Sequence, residues 1–244
     1  MIPFRDENPT RTFPFVVVAL IAANVAVYIH QAMLPPGADA LFVYTYGAVP
    51  AIVLGKVSLA QVVPAEIRSL GGTAGISASQ LQPIWLTIFT SMFLHGGFMH
   101  IAGNMLYLWV FGNNVEDALG HLRFIVFYFL CGGLAAAAQI AMSASSPVPM
   151  VGASGAIAGV LGAYYMKFPR ARVQCLILLF FVSVVMLPAG LVLLLWFLLQ
   201  VLQSFQVTAG GAHGGVAVFA HIAGFIAGWA LVRRFEPKRR RLWV

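Results

Sequence analysis

A serine between two glycines stands out in an apolar part of the chain. Ser154 lies in the stretch Gly152-Ala153-Ser154-Gly155, at the start of a run that predicts a helix. Glycine allows a sharp backbone turn and a close approach by a substrate carbonyl. The free N–H groups at a helix start favour a developing negative charge. Ser154 is therefore a candidate nucleophile, and a serine that only caps a packing helix is the alternative.

A histidine in a later apolar run is the candidate general base. His221 is followed by Gly224 and Gly228 at i+3 and i+7, so the three residues share one helix face. Glycines on that face let a neighbouring helix come close, and we predict that this helix packs on the one that begins at Ser154, through Gly224, Gly228 and Ala158. A neutral imidazole is the usual base for a serine nucleophile. A histidine that merely bonds to a carbonyl is the alternative.

Two further polar residues, His100 and Asn104, are spaced i and i+4, so both project from one face of a predicted helix. Both side chains can donate hydrogen bonds, which suits an oxyanion hole. The alternative is that the two side chains form hydrogen bonds between helices and have no part in catalysis. His95 precedes this helix, and we predict a structural role for it.

The elements that would carry these residues are membrane-spanning helices. Of the 244 residues 61% are hydrophobic and 9% are charged, against about 25% charged in a soluble domain. Apolar runs predict six spans, at 13–34, 98–117, 122–143, 154–168, 189–205 and 218–234. A long, partly apolar loop, 35–83, joins the first two spans, and 172–187 is predicted to be an interfacial or hairpin segment.

The distribution of basic residues predicts the orientation of the helices. Lys and Arg follow spans two, four and six, while the loops 143–153 and 206–217 contain neither. The positive-inside rule therefore places both termini in the cytoplasm. Residues 1–12 become a cytoplasmic segment, 13–234 the helical domain and 235–244 a basic tail that contacts anionic lipid rather than nucleic acid.

Helix rise places the candidate residues at one depth. Asn104 lies 12 residues before Glu116, Ser154 lies 13 before Lys167, and His221 lies 12 before Arg233. At 1.5 Å per residue these separations are about 18 to 20 Å. If the charged residues mark the cytoplasmic boundary, all three polar residues lie in one layer, roughly 10 Å below the outer surface of a 30 Å core.

Three motifs together resemble the rhomboid family of intramembrane serine proteases. They are the stretch from His95 to Asn104 that continues to Glu116, Gly152-Ala-Ser154-Gly, and Ala220-His221-Ile-Ala-Gly224. The resemblance covers about residues 84–230. It implies an all-α membrane protein in which six helices form a bundle, with a partly membrane-embedded loop at 35–83.

The resemblance also implies roles for the residues of the site. Ser154 would be the nucleophile and His221 the base, without a metal or another cofactor. His100, Asn104 and the backbone N–H of Ser154 would hold the oxyanion, and Glu116 would be structural. Some members carry an aromatic residue at the position of Ala158, where it packs on the histidine, so another residue must support His221 here.

The predicted activity is hydrolysis of peptide bonds in or near transmembrane segments of membrane proteins. The predicted location is a bacterial plasma membrane, where lipid and transmembrane substrates are the partners and nucleic acid and metal are not. A non-catalytic relative that binds membrane clients is a competing reading, although such relatives typically lose the serine or the histidine. A transporter or haem-binding bundle is disfavoured because the sequence has no inverted repeat, and a metalloprotease because it has no HExxH motif.

Overall fold

The computed structural model describes residues 2–35, 37–64, 83–178, 182–208 and 217–237, and it is mostly helical. Side chains are described for the same residues except 178, 182 and 206–208. The basic residues at 238–241 and the glycine-rich loop at 209–216 lie outside the described residues. The same holds for 65–82 of the long loop.

Ten α-helices and three β-strands are described in these ranges. The α-helices are α1 (Phe15–Met33), α2 (Ala38–Tyr46), α3 (Pro50–Val53), α4 (Leu59–Val62), α5 (Thr87–Thr90), α6 (Phe98–Leu119), α7 (His121–Met142), α8 (Ser154–Lys167), α9 (Ala189–Thr208) and α10 (Val218–Phe235). The strands are β1 (Ile2–Asp6), β2 (Arg172–Leu178) and β3 (Val182–Pro188).

The six longest helices agree with the six predicted apolar runs to within three residues at either end. By length and composition, α1, α7 and α10 can each cross a membrane. The segment Ile84–Phe93 and α6 qualify together as a fourth span, bent by 84° at the break between them. The part of α9 whose side chains are described, Ala189–Phe205, and the 14-residue α8 are shorter than this criterion requires. Within the described residues this measure therefore supports three or four spans, and the predicted number of six is not confirmed.

Helix α8 lies at the centre of the molecule. Its residues 156–164 are buried without interruption, and it packs on α6, α7 and α10. Small residues make this possible, because glycine and alanine let helix backbones approach closely where no hydrophobic drive exists between membrane helices. With 14 residues α8 is about 21 Å long, which is shorter than the apolar core of a bilayer. If Lys167 marks the membrane boundary, as predicted, Ser154 at the other end of α8 lies below the opposite surface.

A three-stranded antiparallel sheet corrects the expectation of a purely helical fold. β2 and β3 form a hairpin, as one of the two predictions for 172–187 required, and β1 pairs with β2. Burial alternates along β2, where Val173 and Cys175 are buried and their neighbours are not. A short apolar run has the same composition in a strand and in a buried helix, so composition alone did not reveal the sheet.

Both described ends of the chain lie at the same end of the helix bundle. Lys167, the last residue of α8, forms an ion pair with Glu236 at 2.7 Å. Tyr164 and Asn114 donate hydrogen bonds to one carboxylate oxygen of Asp6, at 2.6 and 2.7 Å. Since α8 begins at Ser154 and ends here, the candidate catalytic residues lie towards the opposite end.

Candidate active site

Ser154 occupies the first turn of a buried helix. The residue two positions earlier, Gly152, has φ of +117°, a conformation that L side chains rarely adopt. Its backbone N–H donates to the carbonyl of Ser91 at 2.9 Å, which fixes the loop before α8. Because the first N–H groups of a helix lack partners within it, the backbone beside Ser154 offers donors to an incoming carbonyl oxygen.

His221 and Ser154 are joined directly by a hydrogen bond. Nε2 of His221 lies 2.7 Å from Oγ of Ser154, within the range in which a base can take a proton. Nδ1 of His221 lies 2.7 Å from Oε1 of Gln200 on α9. An amide oxygen only accepts, so Nδ1 must donate to it, and the neutral ring then carries its lone pair on Nε2. That tautomer is the one that accepts the serine proton.

The close approach of α10 to α8 sets this distance. A Cβ added to Gly224 would overlap the carbonyl oxygen of Gly155 and would lie 3.2 Å from the Cβ of Ala158, and a Cβ on Gly228 would overlap the carbonyl oxygen of Gly159. The sequence predicted that Gly224, Gly228 and Ala158 form this helix contact, and the structure confirms it. Gly155 packs tightly on its other side, since a Cβ there would lie 2.8 Å from the Cβ of Ala135.

An aromatic residue on α9 supports the ring of His221. The ring of Trp196 lies 5.8 Å from that of His221, measured between centroids, and also stacks on Phe225 at 6.2 Å. The resemblance predicted only that some residue other than Ala158 supports His221, because some rhomboid proteases carry the supporting aromatic residue at that position. It did not identify Trp196. Here the aromatic side chain comes from a different helix.

His100 and Asn104 converge on the loop before Ser154. A Cβ on Gly152 would lie 2.8 Å from Nε2 of His100 and 3.6 Å from Nδ2 of Asn104. Nδ1 of His100 accepts a hydrogen bond from the N–H of Gly96 at 3.3 Å, so the neutral ring carries its proton on Nε2. Nδ2 of Asn104 is buried and has no hydrogen-bond partner in the described part of the chain. Two side-chain donors therefore face the same small space.

His95 lies behind this pair rather than in the space itself. Its side chain is fully buried, and its ring makes an edge-to-face contact with His100 at 5.1 Å. The side chain of Gln31 on α1 makes two hydrogen bonds to the backbone of His95. It donates to the carbonyl oxygen at 2.9 Å and accepts from the N–H at 3.4 Å. This position agrees with the structural role predicted for His95.

Glu116 lies at the other end of α6 and takes no part in the site. It is fully buried and accepts hydrogen bonds from the N–H groups of Val16 and Val17 at 2.9 and 2.8 Å. Its carboxylate also bonds to Nδ1 of His121 at 2.5 Å. A carboxylate on the free N–H groups of a helix start is stabilised by the helix dipole, so Glu116 anchors α1 to α6.

A cavity of about 30 Å³ adjoins the serine and lies between α7, α8 and the start of α10. Ser154, Gly155 and Ala220 contribute to its lining. This volume is enough for one water molecule. Within the described ranges, no group of three or more His, Cys, Asp or Glu residues could hold a metal ion.

Three residues of this site were missed from the sequence. Gln200 and Trp196 contact His221, and Gln139 of α7 accepts a hydrogen bond from the N–H of Ala220 at 3.2 Å. A signal for Gln200 existed, because a polar residue in the middle of an apolar helix is costly and usually functional. The spacing i and i+4 of Trp196 and Gln200 also places them on one face of α9.

Comparison with known proteins gives one domain family. The profile of the family described as "Rhomboid domain" matches residues 82–236, which is more than half of the chain. This range contains all three motifs and the whole site, from His95 to Gly228.

Several named relatives are similar over parts of the chain. The chain is 32% identical to Rhomboid protein 1, mitochondrial, of Saccharomyces cerevisiae over 167 residues, 64% of this chain and 44% of that protein. It is 30% identical to RHOMBOID-like protein 12, mitochondrial, of Arabidopsis thaliana, over 61% of this chain and 46% of that protein. Rhomboid protease GluP of Bacillus subtilis is 43% identical over 79 residues, 32% of this chain and 15% of GluP.

These matches span less than half the length of each relative. Two of the three relatives carry mitochondrial names, which does not agree with the predicted bacterial plasma membrane. The rhomboid family match and the apolar helices agree with the prediction of an integral membrane protein.

Proposed function

The chain belongs to the rhomboid family of integral membrane proteins, and from this premise we propose that it is an intramembrane serine endopeptidase. Its proposed substrates are membrane proteins, cleaved in or near a transmembrane segment. The observation that carries the proposal is the hydrogen bond of 2.7 Å between Nε2 of His221 and Oγ of Ser154. A serine hydroxyl is a weak nucleophile until an adjacent base takes its proton.

In the proposed reaction Oγ of Ser154 attacks the carbonyl carbon of the scissile peptide bond. The hydroxyl proton passes to Nε2 of His221, and the carbonyl oxygen becomes an oxyanion. The N–H of Ser154, Nε2–H of His100 and Nδ2–H of Asn104 donate hydrogen bonds to that oxygen. Such fixed donors are effective in a site that excludes water, because they require no reorganisation during the reaction.

Collapse of the oxyanion breaks the carbon–nitrogen bond, and His221 returns its proton to the leaving amine. The acyl group remains on Ser154 as an ester. Water then attacks the ester carbonyl and gives a proton to His221, which forms a second oxyanion. Collapse of that oxyanion breaks the bond between the acyl carbon and Oγ, and His221 returns the proton to Oγ, so that the carboxylic acid leaves and the serine hydroxyl is restored. The cavity of about 30 Å³ beside Ser154 has the volume for one such water.

The proposed topology has all six long helices crossing the membrane, with both termini in the cytoplasm. The positive-inside rule supports this orientation, as does the ion pair between Lys167 and Glu236 at the end of the bundle that holds both described chain ends. A bacterial plasma membrane remains the proposed location, because a basic tail suits the cytoplasmic face of such a membrane. Because two relatives carry mitochondrial names, an organellar membrane is the alternative location to test.

Reporter cleavage by the purified protein in liposomes tests the proposed activity. Wild type should cleave a reporter that carries one transmembrane segment, and the Ser154→Ala and His221→Ala variants should not. A metal chelator should leave the rate unchanged. If Ser154→Ala cleaves as well as wild type does, the protease proposal is wrong. If the reporter binds to wild type but is never cut, a client-binding protein is the better account.

A further inference from the structure

We propose that Gln200 is a positioning residue for the catalytic base, acting through the Nδ1 side of His221 in the place that an acidic residue takes in a Ser-His-Asp triad. The inference rests on the proposed serine protease function. Gln200 is contributed by α9, so this helix takes part in the site alongside α6, α8 and α10.

The geometry selects one protonation pattern for the ring. Oε1 of Gln200 lies 2.7 Å from Nδ1 of His221, while Nε2 of the same ring lies 2.7 Å from Oγ of Ser154. With Oε1 as acceptor, Nδ1 carries the proton and Nε2 is free to accept from the serine. The other tautomer would place a proton on Nε2 and would deprive Ser154 of its base. The amide oxygen therefore holds the ring in the productive form.

Gln200 is placed to act on the ring rather than on the substrate. Its side chain is buried, with 9% of its surface exposed, and it contacts the edge of the ring opposite the serine. One turn earlier, Trp196 packs against the ring of His221. The two α9 side chains thus fix the ring both in its plane and across its face. The amide is neutral and cannot take the proton, so it contributes orientation and stabilises the imidazolium that forms during the reaction.

His100 is a second titratable side chain near His221. His100 of α6 lies on the other side of Gly152, and the side chains that contact His221 from α8 and α9 are the uncharged Ser154, Trp196 and Gln200. A carboxylate placed at position 200 would therefore introduce a negative charge next to the base. It would favour the imidazolium and move the acidic limb of the pH–rate profile to higher pH.

The test compares Gln200→Met, Gln200→Leu and Gln200→Glu with wild type, using Gln203→Leu as the matched control on the same helix, where Gln203 is exposed. Methionine keeps the length of the side chain and removes the strong acceptor. Since a hydrogen bond to a charged group contributes about 1.5–3 kcal/mol, we expect kcat to fall about 10- to 100-fold in Gln200→Met. KM should stay unchanged, because Gln200 does not touch the substrate.

Gln200→Glu restores an acceptor. It should recover much of the lost kcat and shift the acidic limb of the pH–rate profile to higher pH, a change that a purely structural role would not produce. A kcat for Gln200→Met equal to that of the Gln203→Leu control would overturn the proposal. If Gln200→Leu does not insert or fold, Gln200→Met decides by the same criterion.

A readout that needs no cleavage separates this inference from the proposed function. In ¹⁵N NMR spectra of labelled protein, with the His221 signals assigned by difference from His221→Ala, wild type should show Nδ1 protonated and Nε2 unprotonated. Gln200→Met should show a mixture of tautomers. An unchanged tautomer in Gln200→Met refutes the role of Gln200, whereas failure of wild type to cleave any reporter refutes the protease proposal alone.

Discussion

Replacing Gly224 by leucine should abolish activity without altering either catalytic side chain. A Cβ at this position would overlap the carbonyl oxygen of Gly155, whereas ordinary contacts of a Cβ lie at 3.4–4 Å. Backbone cannot move aside as a flexible side chain can, so α10 must move away from α8. His221 is three residues from Gly224 on the same face and moves with it.

The size of the effect follows from the distance between the two reacting atoms. Nε2 of His221 and Oγ of Ser154 are 2.7 Å apart, and proton transfer requires about 2.6–3.2 Å. A displacement of about 1 Å exceeds that margin, and misplacement by this amount can cost about 100-fold in rate. We therefore expect a loss of about 100-fold or more for Gly224→Leu and a smaller loss for Gly224→Ala.

The assay is reporter cleavage in liposomes, with initial rates measured for both variants. Gly103→Leu in α6 is the matched control, because a Cβ there has no neighbour within 4 Å. Thermal unfolding in detergent checks that each variant is folded, and Gly224→Ala carries the test if the leucine variant is not. Near-normal cleavage by a folded Gly224→Leu would show that another contact positions His221.

Further predictions concern the oxyanion donors, the anchor of α1, the pH dependence of stability and the topology. Asn104→Ala should lower kcat about 10²- to 10³-fold with little change in KM; a changed KM at normal kcat would instead assign Asn104 to substrate binding. Glu116→Ala leaves the N–H groups of Val16 and Val17 unpaired, and an unpaired buried donor such as that of Val17 costs about 1–3 kcal/mol, so thermal unfolding in detergent should occur at lower temperature; an unchanged midpoint would contradict this. Burial raises the pKa of Asp6 above its ordinary value of 3.8, so its contribution to stability is complete below that value and is lost as pH rises through the raised pKa. Asp6→Asn should therefore flatten the dependence of the unfolding midpoint on pH, and an unaltered dependence would contradict the assignment to Asp6. Reporter fusions at the C-terminus and in loop 143–153 should report opposite sides of the membrane. Signals from the same side would contradict the prediction that Asn104, Ser154 and His221 lie at one depth.

The long helices and the central pair of residues could be predicted from the sequence because each depends on local patterns. Apolar runs bounded by proline, glycine and charge define the helices. Residues Ser154 and His221 stand out because polar groups are costly at membrane depth. The glycine face of α10 follows from spacing alone, and the structure places it against α8 as predicted.

The features that were missed depend on contacts between distant parts of the chain. The pairing of β1 with β2 joins residues about 170 positions apart, and nothing local to Ile2–Asp6 indicates its partner. Gln200 is visible as a polar residue in an apolar helix, but its target becomes clear only when α9 is packed beside α10. The support of His221 by Trp196 likewise required knowing which helix replaces the aromatic residue absent at Ala158.

The central claim is that His221 activates Ser154 as a nucleophile, and covalent labelling with a fluorophosphonate tests it most directly. The reagent bonds to an activated serine oxygen, and mass spectrometry of the digested protein locates the adduct. We predict one adduct on Ser154 in wild type, none in Ser154→Ala and a strongly reduced yield in His221→Ala. Reporter cleavage by wild type with no adduct on Ser154, or equal labelling of His221→Ala and wild type, would contradict the account.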